Sequence, residues 1–257
     1  MATRRQVTDI NMYRNQRRKS KNVRWVLIPV FLVACLFAGY FFAISGFFAV
    51  DNIVIVGNST VADEDIINIA QIEKGMNIFA VNDNALEQSI PILPRIQSAT
   101  LERKLPGTIK ITVVEREPVA LINVGKATAE IDGEGRILDR QLKLSNLELP
   151  IVTGVDITDQ GVIPGCFLTG EQIETALAIL TAIPEDAEDI GEINVADTQY
   201  IKIYTVAGTE VRIGDSENFD EKYLLYSTIL LENERKAEKA IKYIDVSIVS
   251  KPAFAYE

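Results

Sequence analysis

Residues 97–120 read QSATLERKLPGTIKITVVEREPVA, and the fold turns on how this stretch is read. Ile109, Ile111 and Val113 alternate with Thr108, Lys110 and Thr112, a period of two that gives a strand one buried face and one wet face. Leu105-Pro106-Gly107 turns the chain, so residues 97–103 form the strand before it. Glu115-Arg116-Glu117 reads as a solvated strand end, and Pro118 marks a boundary. Working upstream, residues 51–58 are a short β-branched strand stopped by Gly57-Asn58, where Gly57, like Gly107, supplies a turn conformation that other residues resist. Thr60 stands three positions before Asp63, an acidic variant of the capping box, and Ile66, Ile69 and Ala70 share one helical face that Gly75 ends. Asn82 or Asp83 caps a second helix carrying Leu86 and Ile90, which Pro91 and Pro94 stop. The order is therefore strand, helix, helix, strand, strand.

Farther upstream, no residue from Trp25 to Val50 is charged. Roughly 20 such residues cross a hydrocarbon core of about 30 Å. A cleaved signal peptide has an apolar core of roughly 7–15 residues, shorter than this run, and a soluble helix keeps a polar face that this run lacks. Residues 1–24 carry eight Lys and Arg against Asp9 alone, a net +7, which leaves −17 for the remainder of a chain whose total is −10. The basic flank predicts a cytoplasmic N-terminus and an acidic ectodomain outside. Trp25 and Phe47-Phe48 suit the two interfaces, and Pro29 falls in the first turn of the helix.

Composition narrows the functions. The chain has no histidine, which removes the usual general base near neutral pH and the commonest zinc ligand. An acidic ectodomain argues against nucleic-acid binding, which needs clustered Lys and Arg. Of the two cysteines, Cys35 lies in the apolar run and Cys166 reads as a small packing residue, so no disulfide forms within the ectodomain. No catalytic residue, metal ligand or cofactor is expected.

Downstream of Pro118, residues 119–124, 127–132 and 137–140 form a β-meander with Gly133-Glu134-Gly135 as one turn. Asp132 and Glu134 are ordinary chemistry for a wet hairpin turn, and an acid-base pair there, or a hydrolase built around Asp132 or Asp156, is the enzymatic alternative. Residues 149–154 are another strand. Thr169 caps a helix through Ile173, Leu177 and Leu180. Strands follow at 193–195, 200–206 and 210–213, with Gly214 closing the set. Phe219, Tyr223, Tyr226 and Leu230 mark one face of a last long helix, whose Lys222 reads as a solvated neighbour. Residues 243–250 alternate at Ile244, Val246 and Ile248 and predict an edge strand, the substrate for strand addition by a partner. Pro252 limits its extension, and Phe254 and Tyr256 serve as aromatic anchors.

Several phrases then carry a resemblance. Val56-Gly57-Asn58, residues 75–79, Arg103-Lys104-Leu105-Pro106-Gly107 and residues 114–120, in this order after one membrane helix, resemble the POTRA domain of the FtsQ/DivIB family of bacterial division proteins. Residues 131–135 and 149–154, Gly214 with Lys222, and Tyr243-Ile244-Asp245-Val246-Ser247 are similar to the family's β domain. The expected class is α+β: a cytoplasmic basic tail (1–24), a transmembrane helix (25–48), a POTRA-type β-α-α-β-β domain (49–117) and a mixed β domain with a C-terminal edge strand (118–257). The resemblance implies a non-enzymatic divisome scaffold at the division septum that coordinates septal peptidoglycan synthesis. Its partners would be FtsL and FtsB/DivIC-type single-pass proteins, bound by β-strand addition, with other divisome components possible at the POTRA domain. Carried over by position, the partner-binding residues are Ile248, Ser250, Lys251, Phe254 and Tyr256, where Lys251 replaces a frequent small residue and Tyr256 a Trp of some relatives. An outer-membrane assembly factor of POTRA type is the structural alternative, disfavoured because this length supplies no barrel strands.

Overall fold

The computed structural model describes residues 11–124, 127–141, 149–157, 162–184, 187, 189–236 and 239–256; Arg4 and Arg5 of the basic tail lie outside them. Helix α1 (Asn11–Ala43) contains the apolar run as far as Ala43. Its stretch Trp25–Ala43 is 19 residues long, unburied, and long and apolar enough to cross a membrane. At 1.5 Å per residue that stretch measures about 28 Å, close to a bilayer's hydrocarbon thickness. Pro29 lies inside α1, not in its first turn, because the helix extends upstream into the basic segment. The chain leaves the helix at Ala43 and makes one turn of 3-10 helix at Gly46–Phe48.

The expected order then follows: β1 (Asn52–Val56), α2 (Asp63–Ala70), α3 (Asp83–Ser89), β2 (Ile96–Lys104) and β3 (Thr108–Glu115). The strands pair in the order β1-β3-β2. Ile109, Ile111 and Val113 are buried, as the alternation requires. Two glycines are fixed by backbone geometry. Gly57 has φ +97, and a Cβ there would sit 2.1 Å from the Val113 carbonyl oxygen. Gly107 needs no left-handed φ; its requirement is close approach, since a Cβ would meet the Ala49 carbonyl oxygen at 2.4 Å. The capping box expected at Thr60 is replaced. The Thr60 amide donates to the distant Glu115 carboxylate, and Asn58 Nδ2 donates to Asp63 Oδ1 at 2.7 Å. Helix α2 ends at Ala70, earlier than Gly75, with Gln71 in the left-handed region.

Nine further strands form one mixed sheet. In chain order they are β4 (Ala120–Val124), β5 (Ala127–Ile131), β6 (Ile137–Gln141), β7 (Ile151–Thr153), β8 (Ile190–Asn194), β9 (Ile201–Thr205), β10 (Glu210–Gly214), β11 (Ile241–Asp245) and β12 (Ala253–Tyr256). Helix α4 (Glu171–Ala182) links β7 to β8, and α5 (Phe219–Lys236) links β10 to β11. The spatial order is β12-β11-β10-β9-β8-β7-β4-β5-β6. Each helix connects a parallel pair, as a same-direction return requires. The cap of α4 is Gly170 at φ 128, not Thr169.

Ile173, Ala176 and Ile179 of α4 and Phe219 and Tyr226 of α5 share one core with Ile122, Ile131, Ile193, Ile203, Val211 and Ile244 of the sheet. Each such aliphatic side chain contributes roughly 1.5–3 kcal/mol by burial. The chain packs into two compact units. One comprises Met1–Val54, Gln71–Asp83 and Leu101–Ile111; the other comprises Ile55–Ala70, Asn84–Thr100 and Thr112–Glu257.

Candidate functional site

The sheet ends at β12, and this corrects the expected edge. Residues 243–250 do not form the edge strand: β11 stops at Asp245 and lies inside the sheet, parallel to β10 on one side and antiparallel to β12 on the other. Asp245 Oδ1 accepts from the Ser247 amide at 3.1 Å and its hydroxyl at 2.6 Å, a local turn that terminates the strand. The Lys251 amide donates to the Ile248 carbonyl at 2.9 Å, closing a second turn. The chain then returns as β12, pairing Phe254 with Ile244 and Ala253 with Asp245.

Phe254 and Tyr256 therefore lie on the edge strand itself, with ring centroids 5.6 Å apart in an edge-to-face contact. Both flank a cleft whose other wall is the last half of α5, through Ile229, Glu232, Asn233 and Lys236. Ile248, Ser250 and Lys251 are exposed but sit on the loop before β12, off the strand. All five residues are accessible, and the structure brings only the two aromatics together. No described backbone segment pairs with the outer side of β12.

Next to this edge lies a feature that sequence reading missed. Lys202, Arg212 and Asp245 are register partners across β9, β10 and β11, as are Tyr204, Glu210 and Tyr243. The Arg212 guanidinium stacks 4.2 Å from the Tyr243 ring centroid and donates to Glu210 at 2.7 Å. That hydrogen bond, ahead of any other effect, lowers the Glu210 pKa. A cavity of about 310 Å³ opens beside the array, lined by Tyr200, Lys202, Arg212, Asp215, Asp245 and Ser247 among others. Alternation along 201–205 and 210–214 shows which side chains face outward, but only register shows that they meet.

Asp132 and Glu134, considered as an acid-base pair, are both engaged by Arg116. The expected turn is present, with the Gly135 amide donating to the Asp132 carbonyl at 3.0 Å and Gly133 and Glu134 exposed, but the Asp132 side chain is buried. It accepts from Arg116 at 2.6 Å, from the Glu134 amide at 2.9 Å and from the Arg136 amide at 2.8 Å. Arg116 also donates to Glu134 at 2.8 Å. Burial alone would lower the Arg116 pKa, but its bonds to Glu134 and Asp132 raise it. Arg95 pairs with buried Glu130, and Arg136 donates to the Pro91 carbonyl at 3.0 Å. Asp156 is exposed.

Glu115 is likewise engaged, not a solvated strand end. The amides of Ser59, Thr60 and Val61 and the Ser59 hydroxyl all donate to its carboxylate. Burial alone would raise its pKa; these bonds overcome that and hold it at about 2.

Two more expectations are corrected. Lys222 is buried, with its ammonium on the Asp215 carbonyl at 3.0 Å and carboxylate at 2.8 Å. Cys166 is exposed; its backbone carbonyl, not its thiol, makes the structural contact, accepting from Ile137 at 2.9 Å. Among the described residues no group of three or more Cys, Asp or Glu side chains is placed to hold a metal ion.

The FtsQ-type POTRA domain family matches residues 48–116, and the C-terminal family of cell division protein FtsQ/DivIB matches residues 120–247. Cell division protein FtsQ of Syntrophotalea carbinolica is 31% identical over 193 residues, covering 73% of this chain and 67% of that protein. FtsQ of Myxococcus fulvus is 28% identical over 158 residues, covering 60% of this chain and 54% of that protein. Cell division protein DivIB of Clostridium tetani is 29% identical over 209 residues, covering 80% of this chain and 78% of that protein. Among solved structures, the major extracytoplasmic domain of the trans isomer of DivIB from Geobacillus stearothermophilus aligns with a TM-score of 0.34 at 17% identity, over 47% of this chain and 96% of that one.

Proposed function

The chain belongs to the FtsQ/DivIB family of cell division proteins, and from that premise we propose that it is a non-enzymatic divisome scaffold on the outer face of the cytoplasmic membrane. Helix α1 crosses the bilayer once, with its N-terminus in the cytoplasm, an orientation supported by the Lys/Arg excess of residues 1–24. The working parts are the tail (1–24), the membrane segment (25–48), the POTRA part (49–117) and the β part (118–257). The β part receives FtsL and FtsB/DivIC-type single-pass proteins by strand addition, and through that complex septal peptidoglycan synthesis is coordinated with division. Other divisome components dock on the POTRA part.

One observation carries this reading: among the described residues no strand lies beyond β12, which carries Phe254 and Tyr256 beside the α5 cleft. A terminal strand can offer main-chain donors and acceptors to an added strand, and exposed aromatics next to a cleft are the residue type that dominates interface energy. The non-catalytic role is supported by Asp132, whose buried carboxylate is held by Arg116 and two backbone amides.

The test is site-specific photocrosslinking in dividing cells from Ile248 and Tyr256, with Asp139 at the opposite end of the sheet as the comparison position. The expected result is adducts with two small single-pass proteins from Tyr256, and none from Asp139. A septally located protein that gives no adduct from Tyr256 or Ile248 would remove the edge from the binding site.

A further inference from the structure

The end of α1 is tied directly to a loop of the folded ectodomain. Asn77 Nδ2 donates to the Ala43 carbonyl at 2.8 Å, satisfying one of the acceptors that a helix C-terminus leaves open. Backbone bonds continue the join: Ile78 donates to Phe48 at 2.8 Å, Val50 to Met76 at 2.7 Å, and Gly75 to Val50 at 2.9 Å. From the other side, Arg103 donates to the Ile78 carbonyl at 2.9 Å, the Val81 carbonyl at 2.7 Å and Asp83 at 2.6 Å. Residues 75–83 are thus a braced loop and not a flexible tether. All of these residues belong to the same compact unit as α1.

The braced loop is apolar where it meets the helix end. Phe48 packs on Phe79 with centroids 5.1 Å apart, and on Phe42 and Phe47 at 5.3 and 5.0 Å. Phe42, Phe47 and Phe79 are each at least half exposed, and Met76 is 37% exposed. This is one continuous apolar surface that begins on the helix and ends on the ectodomain loop. Water is a poor neighbour for such a patch. If α1 spans the membrane, a hydrogen bond places Asn77 at the end of the span. The interfacial layer outside the hydrocarbon core is about 5–7 Å deep on each side, deep enough to take in the next residues. A second copy of the chain or a partner's helix would also cover apolar groups, but only the bilayer is already continuous with this surface through the helix.

We propose that the Gly75–Ala80 loop is a second membrane contact, with Phe79 and Met76 seated in the outer-leaflet interface beside Phe47. It rests on the membrane-spanning reading of α1 and adds to it that the ectodomain is footed on the lipid surface, with its first loop partly immersed.

The sole tryptophan, Trp25, makes the two readings separable. The full chain is reconstituted in phosphatidylcholine vesicles with and without brominated acyl chains. Wild type reports on α1 through Trp25; Phe79→Trp and Met76→Trp, each combined with Trp25→Phe, report on the loop. The expected result is blue-shifted emission at both loop positions, quenching by brominated lipid comparable to that of Trp25, and weak quenching by aqueous iodide. Trp25 quenched by lipid while both loop positions are quenched only by iodide overturns the loop contact and leaves the span intact. Loop positions shielded from both quenchers assign the patch to protein and also overturn it. Trp25 insensitive to brominated lipid would sink the membrane reading and this one with it.

Discussion

The two edges of the nine-stranded sheet are built in opposite ways. At the β6 edge, Ile137 exchanges backbone hydrogen bonds with Gly165 and Cys166, and Leu168 donates to Gly135. The neighbouring strand β5 is secured by charge, through Glu130 on Arg95 and the adjoining Asp132 on Arg116. At the β12 edge no described backbone segment covers the strand, which is four residues long and alternates alanine with the exposed aromatics Phe254 and Tyr256. An open edge is a hazard that folded proteins ordinarily cover. Blocking the start of one edge while no described segment covers the other favours strand addition at β12 over β6.

The comparison breaks most visibly at Arg116. Its side chain is 11% exposed and that of Asp132 6%, so Arg116→Ala leaves a buried anion with its main partner gone. Removing one member of a buried pair costs about 3 kcal/mol or more. For a chain of this size that is a melting temperature lower by on the order of 10 °C, read by thermal unfolding of the detergent-solubilised protein. An unchanged melting temperature would mean that charge does not hold this end of the sheet.

The open edge should respond the other way. Replacing both Phe254 and Tyr256 by Ala is expected to weaken partner binding by about 2 kcal/mol, roughly 30-fold in Kd, as truncated aromatic anchors do. Melting should hardly move, because both rings are substantially exposed. A large drop in stability with unchanged binding would make these residues part of the fold and not of a site.

Glu115→Gln tests a third position, with an expected loss of about 1.5 kcal/mol at neutral pH, since charge-assisted hydrogen bonds are weakened. The sign with pH follows from the depressed pKa, from 4.5 to about 2. The contribution of Glu115 is fully present above its ordinary value, falls away as pH drops below that value, and is gone once pH passes below about 2. Thermal unfolding of wild type and Glu115→Gln should therefore converge in strong acid. The smallest effects belong to the loop before β12: Ile248→Ala and Lys251→Ala should each change binding by about 0.5 kcal/mol or less, as isolated surface substitutions do. A tenfold loss at either would extend the site off the strand.

Much of this architecture is legible in the sequence because apolar alternation is local. The pattern at 108–113 and the helical spacing of Phe219, Tyr223 and Tyr226 each mark a buried face, and the elements follow. What escaped local reading depends on distant partners. Glu115 bonds a loop 54 to 56 residues away, and nothing in Glu115-Arg116-Glu117 distinguishes a hydrogen-bonded clamp from a free strand end. Lys222 goes inside because Asp215 meets its ammonium there, seven positions earlier across a turn. The edge strand escapes the local pattern for a similar reason. Ala253–Tyr256 is too short for a period to register, and the parallel pairing that buries β11 depends on where α5 returns the chain. Phe254 and Tyr256 are nevertheless legible as exposed aromatics following Pro252.

The most direct test of the open edge is hydrogen–deuterium exchange on the full chain in nanodiscs, with and without the captured division partners. Strand addition predicts that amides of residues 253–256 slow markedly on binding while those of Ile137 and its neighbours on the covered edge stay as they were. A complex that forms with no slowing at 253–256 would contradict it.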